Sequence, residues 1–316
     1  MRQLLKITSL LLLLSVVTIG CSKHKDCVER GNSIYYWKTI FDVDSSEIRF
    51  LEKHKINRIY VRMFDVAVQE DILGEGKVIE PIATTKFLSS IPQNVEVVPV
   101  TYITLDALRW MSDRVDEYAD LIVARLLAMC NYNRCGEIKE VQLDCDWTAA
   151  TRHHYHALCQ RVKDVLNEKG IELSITVRLH QLREMPPPAD KGVLMLYNTG
   201  ALKKPSTKNS ILDIDNVKPY LKRKKYWLPL AYAYPCFGWG VKFKGEKFVS
   251  IVSENSVCGE DETIRVERAK GADICKVKDL VESYLGTPKD GNILYHLDIM
   301  QLNNYSDDEI EKILAD

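Results

Sequence analysis

Beyond its first twenty residues the sequence has no apolar run long enough to cross a bilayer, which excludes helical membrane spans from the body of the chain. Glycine and proline are sparse, 15 and 11 in 316 residues, while hydrophobic residues make up 46%. Disordered, collagenous and low-complexity chains are therefore excluded, since they lack apolar area to offset the entropy of ordering. Neither charge sign dominates, with Lys+Arg 43 against Asp+Glu 44 and a formal net charge of -1. No global field exists to attract nucleic acid, and no nucleic-acid partner is expected. The one basic run, Lys222-Arg223-Lys224-Lys225, reads as a solvated loop. There is no G-x-S-x-G elbow, no CxxC pair and no glycine-rich phosphate loop after the first strand. No cofactor or metal is expected on these grounds.

What is present is alternation. Short β-rich runs near Ile34 to Thr39, Arg58 to Phe64, Val95 to Ile103, Glu140 to Asp146, Glu172 to His180, Gly192 to Asn198, Trp227 to Tyr234 and Ile293 to Asp298 are separated by helical patterns. The helices are expected near Ser45 to His54, Thr84 to Ser90, Ser112 to Met129, Thr148 to Glu168, Ile211 to Leu221, Cys275 to Tyr284 and Ser306 to Leu314. Eight strands with intervening helices predict an α/β protein, a (β/α)8 TIM-like barrel over residues 31–316. A doubly wound open sheet is the main alternative. After the seventh strand, Val241 to Val249 reads as a β-hairpin insert turning at Lys244-Gly245, followed by a polar stretch from Ser253 to Gly271.

The N-terminus carries a different signal. Arg2 and Lys6 precede an apolar run that ends at Thr18-Ile19-Gly20-Cys21, which reads as a signal peptide over residues 1–20. The tetrad resembles the lipobox of bacterial lipoproteins, with Thr18 in place of the usual leucine. That resemblance implies a lipid on Cys21, a membrane anchor through it, and a polar tether over residues 21–30. An ordinary secretory signal is the alternative. Lys23 and Lys25 are basic where surface-exported Bacteroidetes lipoproteins carry an acidic run, so the expected location is the cell envelope, on its periplasmic face. Eight further cysteines remain. Cys130 and Cys135 flank a turn, and Cys236, Cys258 and Cys275 bracket the insert, so these are the candidates for disulfides. Cys145 and Cys159 sit in apolar patterns and read as buried thiols.

Side chains on a strand alternate between the barrel interior and the helix layer. In the fourth strand Val141, Leu143, Cys145 and Trp147 suit the helix layer, which sends Gln142, Asp144 and Asp146 inward. The fifth strand likewise points Ser174, Thr176, Arg178 and His180 in, and the second adds Tyr60 and Arg62. Two readings follow. Either the charges neutralise one another as structural ion pairs over a polar floor, or two carboxylates at the C-terminal end of one strand form a site, their pKa values driven apart by repulsion.

Val141-Gln142-Leu143-Asp144-Cys145-Asp146-Trp147-Thr148 resembles the fourth-strand D-x-x-D-x-D-x-E signature of family 18 chitinases, and Met195-Leu196-Tyr197-Asn198 resembles their sixth-strand M-x-Y-D. In that family the final Glu protonates the glycosidic oxygen, the preceding Asp orients the acetamido group, and the sixth-strand Tyr and Asp assist. Asp144 and Asp146 match the second and third acids, and Tyr197 the tyrosine. Val141, Thr148 and Asn198 replace the first Asp, the catalytic Glu and the last Asp, and Thr148 reads instead as a helix N-cap. Over its whole length the chain resembles an uncharacterised group of Bacteroidetes lipoproteins, which brings no established activity.

The remaining strand ends add Asp65 to the candidate catalytic acids Asp146 and Asp144. Arg62, Trp147, Arg178, His180, Gln181, Tyr197, Asn198, Tyr232, Tyr234, Trp239, His296 and Asp298 are candidate substrate contacts. Aromatic faces beside carboxylates and amides suit a carbohydrate, which stacks on one and hydrogen-bonds to the other. Glycoside hydrolysis is the leading activity, with Asp146 as acid and Asp65 or Asp298 across the mouth. The alternative is a non-catalytic, hydrolase-derived lipoprotein that holds a glycan. A third reading places a metal between Asp144, Asp146, His180 and His296.

Overall fold

The computed structural model describes residues 31–315 apart from 72, 73, 75, 223 and 224. The signal peptide, Cys21, the tether and Cys27 lie outside the described residues, as do Arg223 and Lys224 of the basic run. Eight parallel strands close into a ring: β1 (Asn32–Tyr36), β2 (Ile56–Glu70), β3 (Glu96–Ile103), β4 (Glu140–Asp144), β5 (Glu172–Val177), β6 (Lys191–Met195), β7 (Leu230–Pro235) and β8 (Asn292–Tyr295). Closure is made by β1, which pairs with both β8 and β2. This is a (β/α)8 barrel.

Periodicity explains its layers. The helix Arg152–Asn167 buries Tyr155, Leu158, Cys159, Val162 and Leu166, a stripe at helical spacing. Its Tyr155 hydroxyl donates to the Leu143 carbonyl of β4, 3.3 Å away. Val141, Leu143 and Cys145 are fully buried on that side. Inside the barrel the residues of opposite parity form a polar column. At its lower end Lys191 Nζ lies 2.7 Å from Glu140 and 2.9 Å from Asp290, while Arg58 reaches Asp290 at 3.2 Å and Glu96 at 3.2 Å. The Tyr60 hydroxyl donates to Glu140 at 3.2 Å. One layer higher, Tyr35 donates to Gln142 at 2.7 Å and Gln142 to Ser174 at 3.2 Å.

Several expectations are corrected. Thr84 to Ser90 is not a helix: Lys86–Phe87 pairs in parallel with Ile40–Phe41, and Thr85 is tied to β2 through its amide to Met63 O and its hydroxyl to Arg62 O. Ile211 to Leu221 holds only Ile214–Val217 and a 3-10 turn Lys218–Tyr220, because Pro219 offers no N–H to continue a helix. The helix after β4 starts at Arg152 with Thr151 in the N-cap position; Thr148 instead donates its N–H to Thr151 Oγ1 at 3.0 Å. β2 runs past Phe64 to Glu70, where it pairs antiparallel with Lys77–Ile82. The insert is a three-stranded sheet: Gly238–Lys244 lies between Lys247–Val252 and Glu262–Arg268. Its turn residues are Gly245 and Glu246, with Gly245 at φ 56, a conformation that costs glycine little.

All seven cysteines among the described residues are free thiols. Cys145 and Cys159 are buried, as their apolar context predicts. The insert cysteines are not bridged, with Cys236 buried and Cys258 exposed. Cys130 and Cys135 stand in thiol–thiol contact.

Candidate functional site

A break in regular pairing builds the site. The register of β2 against β3 shifts between Arg62 and Phe64, so Met63 is an extra residue and the strand bulges there. The bulge brings Arg62 and Asp65, of opposite parity, to one face. Arg62 Nε donates to Asp65 Oδ1 at 2.8 Å and Nη2 engages the other oxygen. Across the barrel, Thr176 Oγ1 donates to Asp144 Oδ1 at 2.6 Å, Arg178 Nη2 lies 3.5 Å from the same oxygen, and Arg178 Nε donates to Asp146.

The two β4 carboxylates differ in access. The Asp146 side chain is 45% exposed and that of Asp144 is 3% exposed. Burial pushes the Asp144 carboxyl above its ordinary range; Arg178 and Thr176 oppose this, while Asp146 and Asp65 add repulsion. The same field, after burial, pushes the Tyr102 hydroxyl up to about 12. Burial foremost also raises Tyr197, whose hydroxyl has no hydrogen-bond partner among the described residues.

Two adjoining cavities, each about 290 Å³, open at the C-terminal ends of the strands and share Asp146, Arg178, Met195, Tyr197 and Asn198. One extends to His180, Thr199 and Tyr220; the other to Trp37, Arg62, Asp65, Tyr102, Asp144 and Tyr295. Aromatic rings wall the cleft, Tyr197 and Tyr295 with centroids 4.5 Å apart and the Arg62 guanidinium 5.7 Å from the Trp37 ring. The cleft thus offers ring faces, ion-paired carboxylates and an unpartnered hydroxyl on one surface.

Asp65, Asp144, Asp146, Arg62, Arg178, His180, Tyr197 and Asn198 are therefore brought together. Others are not. Trp147 is buried in the helix layer, its ring 6.3 Å from Tyr155, as its own parity requires. Gln181 is buried and accepts the Arg178 N–H at 2.8 Å while donating to Trp147 O at 2.9 Å, so it positions the chain. Tyr232 turns outward to donate to Gly286 O at 2.7 Å, and Tyr234 shares its parity. Trp239 donates to Glu267 at 3.0 Å within the insert. His296 is half-buried, and desolvation pushes its imidazole down to about 4. Asp298 caps the helix Ile299–Leu302, because β8 ends earlier, at Tyr295. Asp144, Asp146, His180 and His296 do not converge: among the described residues no three His, Cys, Asp or Glu side chains are grouped to hold a metal.

Trp37, Tyr102, Thr199, Tyr220 and Tyr295 also line the cleft and belong to no motif or candidate set in the sequence; Met195, the first residue of the sixth-strand motif, lines it too. The position of Trp37, Tyr102 and Tyr295 at strand C-terminal ends was the available signal.

No protein-family model matches this chain, and no curated protein matches it. Solved structures do. The spore cortex-lytic enzyme SleL of Bacillus megaterium aligns with TM-score 0.56 at 14% identity, over 90% of this chain and 74% of that one. A chitinase from Chromobacterium violaceum gives 0.54 at 13% identity over 90% and 98%. The family 18 chitinase ChiB of Flavobacterium johnsoniae gives 0.54 at 13% over 90% and 93%. At these identities the likeness is one of fold: this chain shares their barrel architecture. Where the fourth-strand pattern of family 18 has its catalytic Glu, this barrel carries Thr148, exposed and held in the turn before the helix.

Proposed function

We propose that the barrel mouth binds a carbohydrate and holds it without hydrolysing it by the family 18 route. The observation that carries this reading is the pairing of every carboxylate in the cleft with a guanidinium, Asp65 with Arg62 and Asp144 and Asp146 with Arg178, beneath aromatic walls. Such pairs present fixed donors and acceptors to sugar hydroxyls, and the rings accept the apolar face of a pyranose. The shared fold with carbohydrate-active enzymes supports the ligand class, and the hydroxyl at Thr148 supports binding over cleavage. Export and a lipid on Cys21, facing the periplasm, belong to the same proposal and rest on the N-terminal pattern alone.

One observation favours a second reading, hydrolysis. Asp144 is raised by burial beside a more exposed Asp146, which is how one fold sets an acid and a base side by side. Glycan-array binding paired with product release separates the two, using wild type, Asp146→Asn and Arg178→Gln. Binding without release, weakened about 10- to 100-fold in Arg178→Gln, is expected, as loss of a charged hydrogen bond costs roughly 1.5–3 kcal/mol. Release that disappears in Asp146→Asn would establish a hydrolase; absence of both would remove the carbohydrate from the tested set.

A further inference from the structure

The helix Val115–Tyr132 ends in a motif with an unusual pair of residues at its two contact positions. The Cys135 N–H donates to Cys130 O at 2.9 Å and the Arg134 N–H to Asn131 O at 3.2 Å, with Arg134 at φ 54. That is a Schellman C-cap, in which the side chains at the first and last positions meet and ordinarily make an apolar contact. Here both are cysteine, both are buried, and their thiols touch. The left-handed position, usually glycine, is filled by Arg134, so the turn that brings the thiols together is costly to hold by backbone preference alone.

We propose that Cys130 and Cys135 are a site of oxidation that closes into a disulfide and locks this helix end. The reaction is exchange with a disulfide oxidant, RSSR. The Cys135 thiolate attacks one sulfur and releases RS⁻. The Cys130 sulfur then loses its proton and attacks Cys135, releasing a second RS⁻; both protons pass to the leaving thiolates, and RSSR becomes two RSH. The hydrogen bond from Cys130 favours the Cys135 thiolate, which makes Cys135 the first nucleophile. Access comes through fraying of the last helical turn, where Asn131 and Tyr132 are exposed.

Trypsin makes the pairing readable, because Arg134 lies between the two cysteines. The full chain, incubated folded with glutathione disulfide and digested without reductant, is expected to give fragments 126–134 and 135–139 joined as one species, which reductant separates. Free or glutathione-bound fragments, or a link from either cysteine to another one, would overturn the proposal. The oxidised chain is expected to melt a few degrees above the reduced chain, a difference that vanishes in Cys135→Ser. Equal midpoints would overturn the locking role, and the fragment readout in wild type does not depend on any variant folding.

Discussion

The two ends of the barrel interior use the same chemistry for different ends. At the floor, Arg58, Lys191, Glu140 and Asp290 are buried and bonded to one another, and the charges satisfy themselves. At the mouth, Arg62 and Arg178 are again paired with carboxylates, but the pairs stand at the wall of an open cleft with Asp146 half exposed. Mutual neutralisation and a functional site are therefore not competing accounts of one cluster. They describe two clusters stacked along the same axis, and what separates them is access to a ligand.

The comparison breaks most decisively at the floor. Lys191→Met leaves Glu140 and Asp290 without their shared cation, and removing one partner from a buried pair costs about 3–5 kcal/mol; urea denaturation is expected to show a loss of this size. A loss below about 1 kcal/mol would mean the floor charges do not depend on each other.

The second test concerns His296, half-buried just past the end of β8. His296 is held neutral, down to about 4, below the ordinary histidine value of about 6.5. As pH falls from about 6.5 towards 4, the unfolded chain takes up a proton that the folded chain refuses, so stability falls with pH in that window. The total is on the order of 3 kcal/mol at about 1.36 kcal/mol per pH unit. A denaturation series is expected to show this slope in wild type and a flatter one in His296→Gln; parallel slopes would mean the residue is solvated.

The smallest effect is at the rim. Trp37→Ala removes one ring face from the cleft and is expected to weaken carbohydrate binding about fivefold, by roughly 1 kcal/mol of aromatic contact, with the floor untouched. Unchanged affinity in a titration would confine recognition to the charged pairs.

Strand alternation made much of this readable. The barrel and the inward set Gln142, Asp144, Ser174, Thr176 and Arg178 follow from a period of two and from the C-terminal position of the acids. The floor was not readable, because Lys191 and Asp290 sit at or before the first residues of their strands, where local pattern gives no face. Tyr232 and Tyr234 show the converse: in β7 the inward positions are the small residues Ala231 and Ala233, and the bulky aromatic side chains face the helix layer. His296 and Asp298 extend the sequence pattern of a strand that stops at Tyr295.

The bulge at Met63 has a meaning for descent as well as for geometry. Three residues apart on a regular strand, Arg62 and Asp65 would point to opposite faces; they meet because β2 is one residue longer than its partner's register requires. That part of the cleft is encoded by segment length and not by residue identity. A lineage could discard or acquire it through a single codon gain or loss, and comparison of relatives by substitutions alone would overlook the event.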